Sequence, residues 1–273
     1  MNARARQAFL ALAARVTPFV AAADEDGVFL LPTREAGIGR RVFVSGRTPE
    51  FAALERAVAI LREHGRTVDG SVLLDVGANI GTTTVPALLR HGFGRAVCFE
   101  PEPDNVPLLA ANVALNRLAG RAEVVDAAVA DTAGRAAFGR GPETRLGRRT
   151  GVGGLHRKGT ATPTVEVDVV TLDEELARRG ITQADVGLLW IDAQGAEGHV
   201  LRGARVLTDA RVPVVFALRS KKLRDAGGVE ALLEGLAGYA SSVDLREPAA
   251  APVPVAELPE RVRRKPNTDL LVF

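Results

Sequence analysis

Three carboxylates stand along the first half of the chain at intervals that suit the holding of one ligand. Asp75 opens the run Asp75-Val76-Gly77-Ala78-Asn79-Ile80-Gly81, Glu100 follows 25 residues later, and Asp126 comes next. Each lies at or just beyond a short apolar run, Val72–Val76, Arg95–Phe99 and Glu123–Val125. Such runs predict strands, so the three acids fall at the ends of consecutive strands. In open α/β sheets that is where ligands bind, and the first strand-to-helix turn is the preferred place. Gly77 lets the backbone turn sharply there and approach a ligand closely, and Gly81 permits tight packing where the next helix starts.

The pattern departs from a dinucleotide fingerprint, which needs a second glycine where Asn79 stands. Asp75 would also repel a pyrophosphate, whereas it suits a positively charged ligand. S-adenosylmethionine meets that description, with an ammonium, a sulfonium and no phosphate. Glu100 could then accept from two ribose hydroxyls, and Asp126, with the adjoining Ala127, stands where adenine would sit. Asn79 and Asn105 complete the candidate cofactor set. Taken singly, each residue also reads as an ordinary turn or strand end. The order acid, glycines, acid, acid at three strand ends is what favours the cofactor.

A second group follows a later apolar strand, Val186–Ile191, in Trp190-Ile191-Asp192-Ala193-Gln194-Gly195-Ala196-Glu197-Gly198-His199. Asp192 ends that strand and faces the crevice where a transferable methyl group would lie. Methyl transfer is an in-line displacement at carbon, so the protein must align nucleophile, carbon and sulfur. A base helps when the acceptor is an alcohol. Asp192, Glu197 and His199 are the titratable candidates, and Asp192 could equally orient the methionine amine. Glu197 alternatively complements a helix dipole, His199 alternatively sits on the surface, and Gln194 either touches the acceptor or caps the helix.

With these residues in view the sequence resembles the FkbM-type family of S-adenosylmethionine-dependent methyltransferases. The resemblance runs from about Leu73 to about Ala226, and it is carried by Asp75–Gly81, Phe99–Asn105, Val169–Glu174 and Leu188–Ala204. It implies a class I methyltransferase fold of seven strands with the last hairpin reversed. It also implies methyl transfer to a small molecule, commonly to oxygen, in natural-product or glycan pathways. Two stretches depart from the family pattern. Ala217 stands where an acid is expected, followed by basic Arg219, Lys221 and Lys222 in place of aromatics, and the loop after Phe138 reads Glu143-Thr144-Arg145-Leu146-Gly147-Arg148-Arg149 without the expected Asn. Both flank the acceptor side, so the departures bear on the acceptor and not on the cofactor.

The elements that must position these residues are an alternation of strands and helices from residue 71 onward, which predicts a doubly wound α/β sheet. Helices are expected over Gly81–Arg90 and Asp104–Leu118, with strands at Thr164–Val169 and Val212–Leu218. Thr268–Phe273 is expected as a strand at or near the sheet edge, and a helix should be capped at Thr171 or Asp173. Gly139–Thr162 lacks periodicity and reads as an excursion above the sheet. Residues 1–70 form an extension: an amphipathic first helix, a β-hairpin of Val28–Leu31 with Arg41–Ser45 across Gly37 and Gly39, and a helix from Pro49 to Glu63. This extension either covers the active site or mediates a homodimer.

The chain has 273 residues, 47% hydrophobic and 25% charged, enough for a real core and a solvated surface. One cysteine, Cys98, excludes an internal disulfide and a cysteine-based zinc site, and the four histidines show no ligand spacing. The first helix resembles a signal peptide only loosely, because Arg15 and Pro18 interrupt it, and no apolar run is long enough to span a membrane; a cytoplasmic location is expected. Aromatics make up only 4%, which disfavours a nucleic-acid methyltransferase that must hold a flipped base. Ala217 keeps open N- or C-methylation and a non-catalytic cofactor-binding module. The net charge of +2 conceals a division: Gly139–Thr160 carries +5, Arg219–Arg224 +4 and Arg261–Lys265 +4, so the remainder is strongly acidic. Arg148, Arg149 and Arg219 are therefore candidates for clamping a carboxylate or phosphate on the acceptor.

Overall fold

The computed structural model describes residues 2–34, 37–48, 50–140, 154–155, 163–264 and 267–273. Its centre is an eight-stranded sheet. Four parallel strands, β3 (Val72–Val76), β4 (Arg95–Phe99), β5 (Ala122–Val125) and β10 (Val186–Ile191), run beside a fifth, β11 (Val214–Arg219). All five residues of β3 and all six of β10 are buried, as expected of strands covered on both faces. Beyond β11 the direction reverses. β14 (Asn267–Val272) inserts antiparallel between β11 and β12 (Ser241–Asp244), with the two-residue β13 (Val253–Pro254) outermost. The reversed last hairpin is thus present. The last strand does not lie at the edge: it is apolar because it is flanked on both sides, and β12, with polar Ser241, Ser242 and Asp244, takes the position nearer the edge.

Helices α4 (Thr84–Arg90) and α5 (Val106–Leu115) follow β3 and β4, each shorter at its start than the sequence pattern suggests. The missing turns, Gly81–Thr83 and Asp104–Asn105, form the loops that line or support the cleft. α6 (Leu172–Arg179) is capped by Thr171, whose hydroxyl accepts from the Glu174 amide at 3.2 Å, and it ends on Gly180 at φ +64°. A second sheet orders β6 (Ala128–Val129), β9 (Thr164–Val170), β7 (Gly134–Gly139) and β8 (Gly154–Leu155). The basic excursion with Arg145, Arg148, Arg149, Arg157 and Lys158 lies outside the described residues.

The extension differs from expectation in two places. α1 (Ala3–Ala13) is followed by a strand, and the hairpin joins β1 (Phe19–Asp24) to β2 (Gly27–Pro32). The segment expected as the second hairpin strand is instead helix α2 (Ile38–Ser45), with Gly37 at its N-cap. Ile38 and Val42 are buried one helical turn apart, and that i, i+4 spacing outweighs the β-branched content of the stretch. α3 (Phe51–Glu63) buries Leu54, Val58 and Leu61 as the pattern predicts. The hairpin is tied to α5 by Asn112 and, one turn further on, by its C-cap Asn116. Asn112 Oδ1 accepts from the Leu30 amide at 2.6 Å, and Asn116 Oδ1 accepts from the Val28 amide at 2.8 Å. Leu10, Phe29, Leu31 and Leu54 of the extension share one hydrophobic core with Leu73, Ile80 and Leu109. Among the described residues, no helix is long and apolar enough to cross a membrane.

Candidate active site

A cavity of about 820 Å³ opens at the C-terminal ends of β3, β4, β10 and β11, which contribute Val76, Phe99, Trp190, Ala217 and Arg219 to its lining. The turn after β3 forms one wall with Gly77, Ala78, Asn79, Thr82 and Thr83. Gly77 has φ +84°, and a Cβ there would overlap the Asp192 carbonyl oxygen. Only glycine therefore lets the turns after β3 and β10 meet at the cavity. Gly81 does not line it; a Cβ at that position would press on Leu109 of α5 at 3.1 Å.

Glu100 lines the cavity just beyond β4 and is held firmly. Its Oε2 accepts from the Asn79 amide at 2.8 Å; its Oε1 accepts from the Glu102 amide at 2.9 Å and from Asn105 Nδ2 at 3.2 Å. Asn105 thus orients Glu100 and does not itself reach the cavity. Asn79 adopts φ +52°, a left-handed conformation that asparagine tolerates. Asp75 is fully buried behind the lining; its Oδ2 accepts from the Thr84 hydroxyl at 2.6 Å and its Oδ1 has no hydrogen-bond partner. Asp126 is exposed and stands outside the lining, whereas Ala127 joins Ala128, Val129 and Phe138 in an apolar wall.

The turn after β10 places Asp192 and Gln194 in the lining. Gln194 adopts φ +55° and bridges two groups: its Nε2 donates to Asp192 Oδ1 at 2.5 Å, and its Oε1 accepts from Lys222 Nζ. Gly195, at φ +112°, carries no Cβ where one would meet the Lys222 carbonyl at 2.8 Å. Glu197 is buried at the start of α7 (Glu197–Arg202) and accepts from the Gly195 amide at 3.0 Å, holding the turn without lining the cavity. His199 is also outside the lining; its Nδ1 lies 2.9 Å from Asp131 Oδ2 on a half-exposed flank.

The far end of the cavity carries groups that sequence reasoning missed. Asp269 of β14 lines it between two arginines, with its Oδ1 3.3 Å from Arg219 and its Oδ2 accepting from Arg246 Nε at 2.6 Å. The extension adds Ile38 and Arg41 from α2, and Glu50, Ala52 and Ala53 around the start of α3. Asp269 was signalled by a polar residue inside an apolar strand. Glu50 and Arg246 carry no comparable local mark.

Burial dominates the electrostatics. It pushes Glu50, Asp75, Glu100 and Glu197 up to about 7 and raises Asp192 above the usual carboxylate range. Desolvation disfavours each ionised carboxylate, and their mutual repulsion adds to it. Among the described residues, no cation forms an ion pair with Glu50, Asp75 or Glu100, and buried oxygens of Glu50 and Asp75 lack partners. Glu50 and Glu100 line the cavity unpaired with any described cation, beside an apolar wall, and such a lining fits a ligand that brings an ammonium, a sulfonium and ribose hydroxyls. The residues present therefore fit S-adenosylmethionine.

The family match agrees with this fit. The sequence profile of the methyltransferase FkbM domain matches residues 75–234. The chain is 34% identical over 190 residues to the 31-O-demethyl-FK506 methyltransferase FkbM of Streptomyces tacrolimicus, covering 61% of this chain and 72% of that protein. Two solved structures overlay more loosely. The precorrin-6y C5,15-methyltransferase of Geobacter metallireducens GS-15 has a TM-score of 0.42 at 13% identity, covering 81% of this chain and 85% of that one. TYW2 of M. jannaschii in complex with AdoMet has a TM-score of 0.43 at 10% identity, covering 93% and 84%.

Proposed function

The chain belongs to the FkbM methyltransferase family, and from that premise we propose that it transfers the methyl group of S-adenosylmethionine to a hydroxyl of a small natural-product or glycan acceptor. The observation that carries this reading is the polarity of the cavity: buried acids at one end and an Arg219–Asp269–Arg246 cluster at the other. The name of the Streptomyces relative, which gives an O-demethyl compound as acceptor, supports oxygen as the nucleophile.

In this reading Glu100 accepts from the ribose hydroxyls, and Ala127, Val129 and Phe138 pack against the adenine. The bound cofactor supplies an electrophilic methyl carbon on a sulfonium leaving group. Asp192 lies between the cofactor acids and the arginine cluster, where it can take the hydroxyl proton of the acceptor. Burial raises its carboxyl above the usual range, which makes it a stronger base than an exposed carboxylate. Gln194, held by Lys222, fixes the orientation of that carboxylate. Trp190, Val215 and Leu245 exclude water from the same space.

Arg41, Arg219 and Arg246 support an acceptor that also bears a carboxylate or phosphate, since guanidinium forks bind such groups in pairs. Phe9, Leu12 and Val16 stay exposed on the extension, which supports a homodimer through that face; a monomer mass by light scattering would remove it. The acceptor reading is tested by incubating the protein with methyl-labelled S-adenosylmethionine and a panel of hydroxylated acids beside their neutral esters. The expected product is an O-methyl ether or ester-free O-methyl acid, formed faster from the acids. Label mapped to nitrogen or carbon would overturn it.

A further inference from the structure

Among the described residues of the extension, Glu50 is the acid that lines the cavity. It stands at the N-cap of α3 but makes no capping hydrogen bond there. Its carboxylate instead accepts from the Thr82 hydroxyl, on the turn that follows the Gly77 segment. Its Oε2 is buried without a hydrogen-bond partner. Leaving such an oxygen unmatched is costly, and freeing the carboxylate to cap its own helix would have been the cheaper arrangement. The groups facing it are Asp192 on the turn after β10, Asp75 at the end of β3 and Arg41 on α2. Only Arg41 is positive, and it forms no ion pair with Glu50 among the described residues.

The position along the cofactor follows from Glu100. If the ribose is held there, the amino-acid end must run along the wall formed by Gly77–Asn79 and Thr82, away from Phe138. Glu50 lies at that end, beside Asp192. We infer that Glu50 receives the ammonium of the cofactor's methionine moiety, so that the N-terminal extension completes the cofactor site. This rests on the reading that Glu100 holds the ribose. It gives the extension a second task besides shaping the acceptor space: α2 and α3 are fastened to the sheet through the ligand itself.

The test compares two ligands by calorimetry, S-adenosylhomocysteine and 5′-methylthioadenosine, which shares the adenosine and sulfur but lacks the amino acid. Glu50→Gln should weaken S-adenosylhomocysteine by about tenfold or more and leave 5′-methylthioadenosine within about twofold. Thr82→Val, which keeps the acid but removes its hydroxyl donor, should weaken the same ligand selectively and by less. Unchanged S-adenosylhomocysteine affinity in Glu50→Gln would overturn the inference, as would an equal loss for both ligands. Glu100→Gln is the control: it should weaken both ligands, and if it weakened neither, the ribose placement would fall and the inference with it.

Discussion

Ala217 and Asp269 sit directly opposite each other in the antiparallel pairing of β11 with β14, and both line the cavity. Residues opposite each other in such a pair share one face of the sheet. The carboxylate that position 217 lacks is therefore present at the same level, one strand over. Both of its oxygens are engaged by arginines, so Asp269 acts by positioning Arg219 and Arg246 and not as a proton acceptor. Asp269→Asn should raise the acceptor KM by about tenfold, the scale of a lost charge-assisted contact, while S-adenosylhomocysteine affinity stays within about twofold. A fall in kcat alone, with KM unchanged, would contradict this role.

Glu100 accepts three hydrogen bonds from the protein before any ligand arrives, so its orientation is fixed in advance. Glu100→Ala should reduce S-adenosylhomocysteine affinity by about 10- to 100-fold, as expected for hydrogen bonds to a charged group. Calorimetric affinities within about twofold of each other would remove Glu100 from the cofactor site.

The buried acids also set a pH dependence. Glu50, Asp75, Glu100 and Glu197 rise from ordinary carboxylate values to about 7 on folding. A group raised in this way binds its proton more tightly in the folded state. Its contribution to stability is complete below about pH 4 and is lost as pH rises through about 7. The melting temperature of the ligand-free protein should therefore fall between pH 5 and pH 8. The increase produced by S-adenosylmethionine should grow over the same interval, because ionised acids meet a cationic ligand. Thermal melts at each pH, with and without the cofactor, check both trends.

Gly77→Ala should be severe. The new methyl group would meet the Asp192 carbonyl, a backbone atom, and the residue holds φ +84°. Strain of about 2–4 kcal/mol follows from the conformation and the overlap together. That corresponds to a melting temperature lower by roughly 3–8 °C, with weaker cofactor binding. Scanning calorimetry would show it.

His199→Gln should leave kcat within about twofold. The imidazole is paired with Asp131 outside the cavity, so it has no route to the transferred methyl group. A loss of more than about tenfold, with an unchanged melting temperature, would return it to the catalytic set.

Much of this was legible in the sequence because it is local. The run from Asp75 to Gly81, the acid at Glu100 and the segment from Asp192 each follow an apolar strand, and strand-end placement is set by spacing over a few residues. Those same runs carry the family resemblance. Thr171 as a cap and the helical face of Leu54, Val58 and Leu61 were readable for the same reason. The hairpin was misplaced because Val42 and Phe43 suit a strand or a helix equally in isolation. Burial against α1 and β2 decided for the helix, and the edge of β2 was claimed by Asn112 and Asn116, more than 80 residues away.

The chain's own order thus determined that acid-ended strands and a glycine turn would gather at one end of the sheet, although of the three acids Glu100 lines the cavity while Asp75 lies behind it and Asp126 outside it. Which distant groups would complete the two ends of the cavity was decided only on folding. Glu50, Arg219, Arg246 and Asp269 come from four separate regions, and they converge because β14 inserts between β11 and β12 while the extension folds back over the strand ends. Spacing governs contacts within a helix turn or a strand. Contacts between distant segments depend on strand order and on which buried faces fit, and a linear pattern does not encode those separately from the fold.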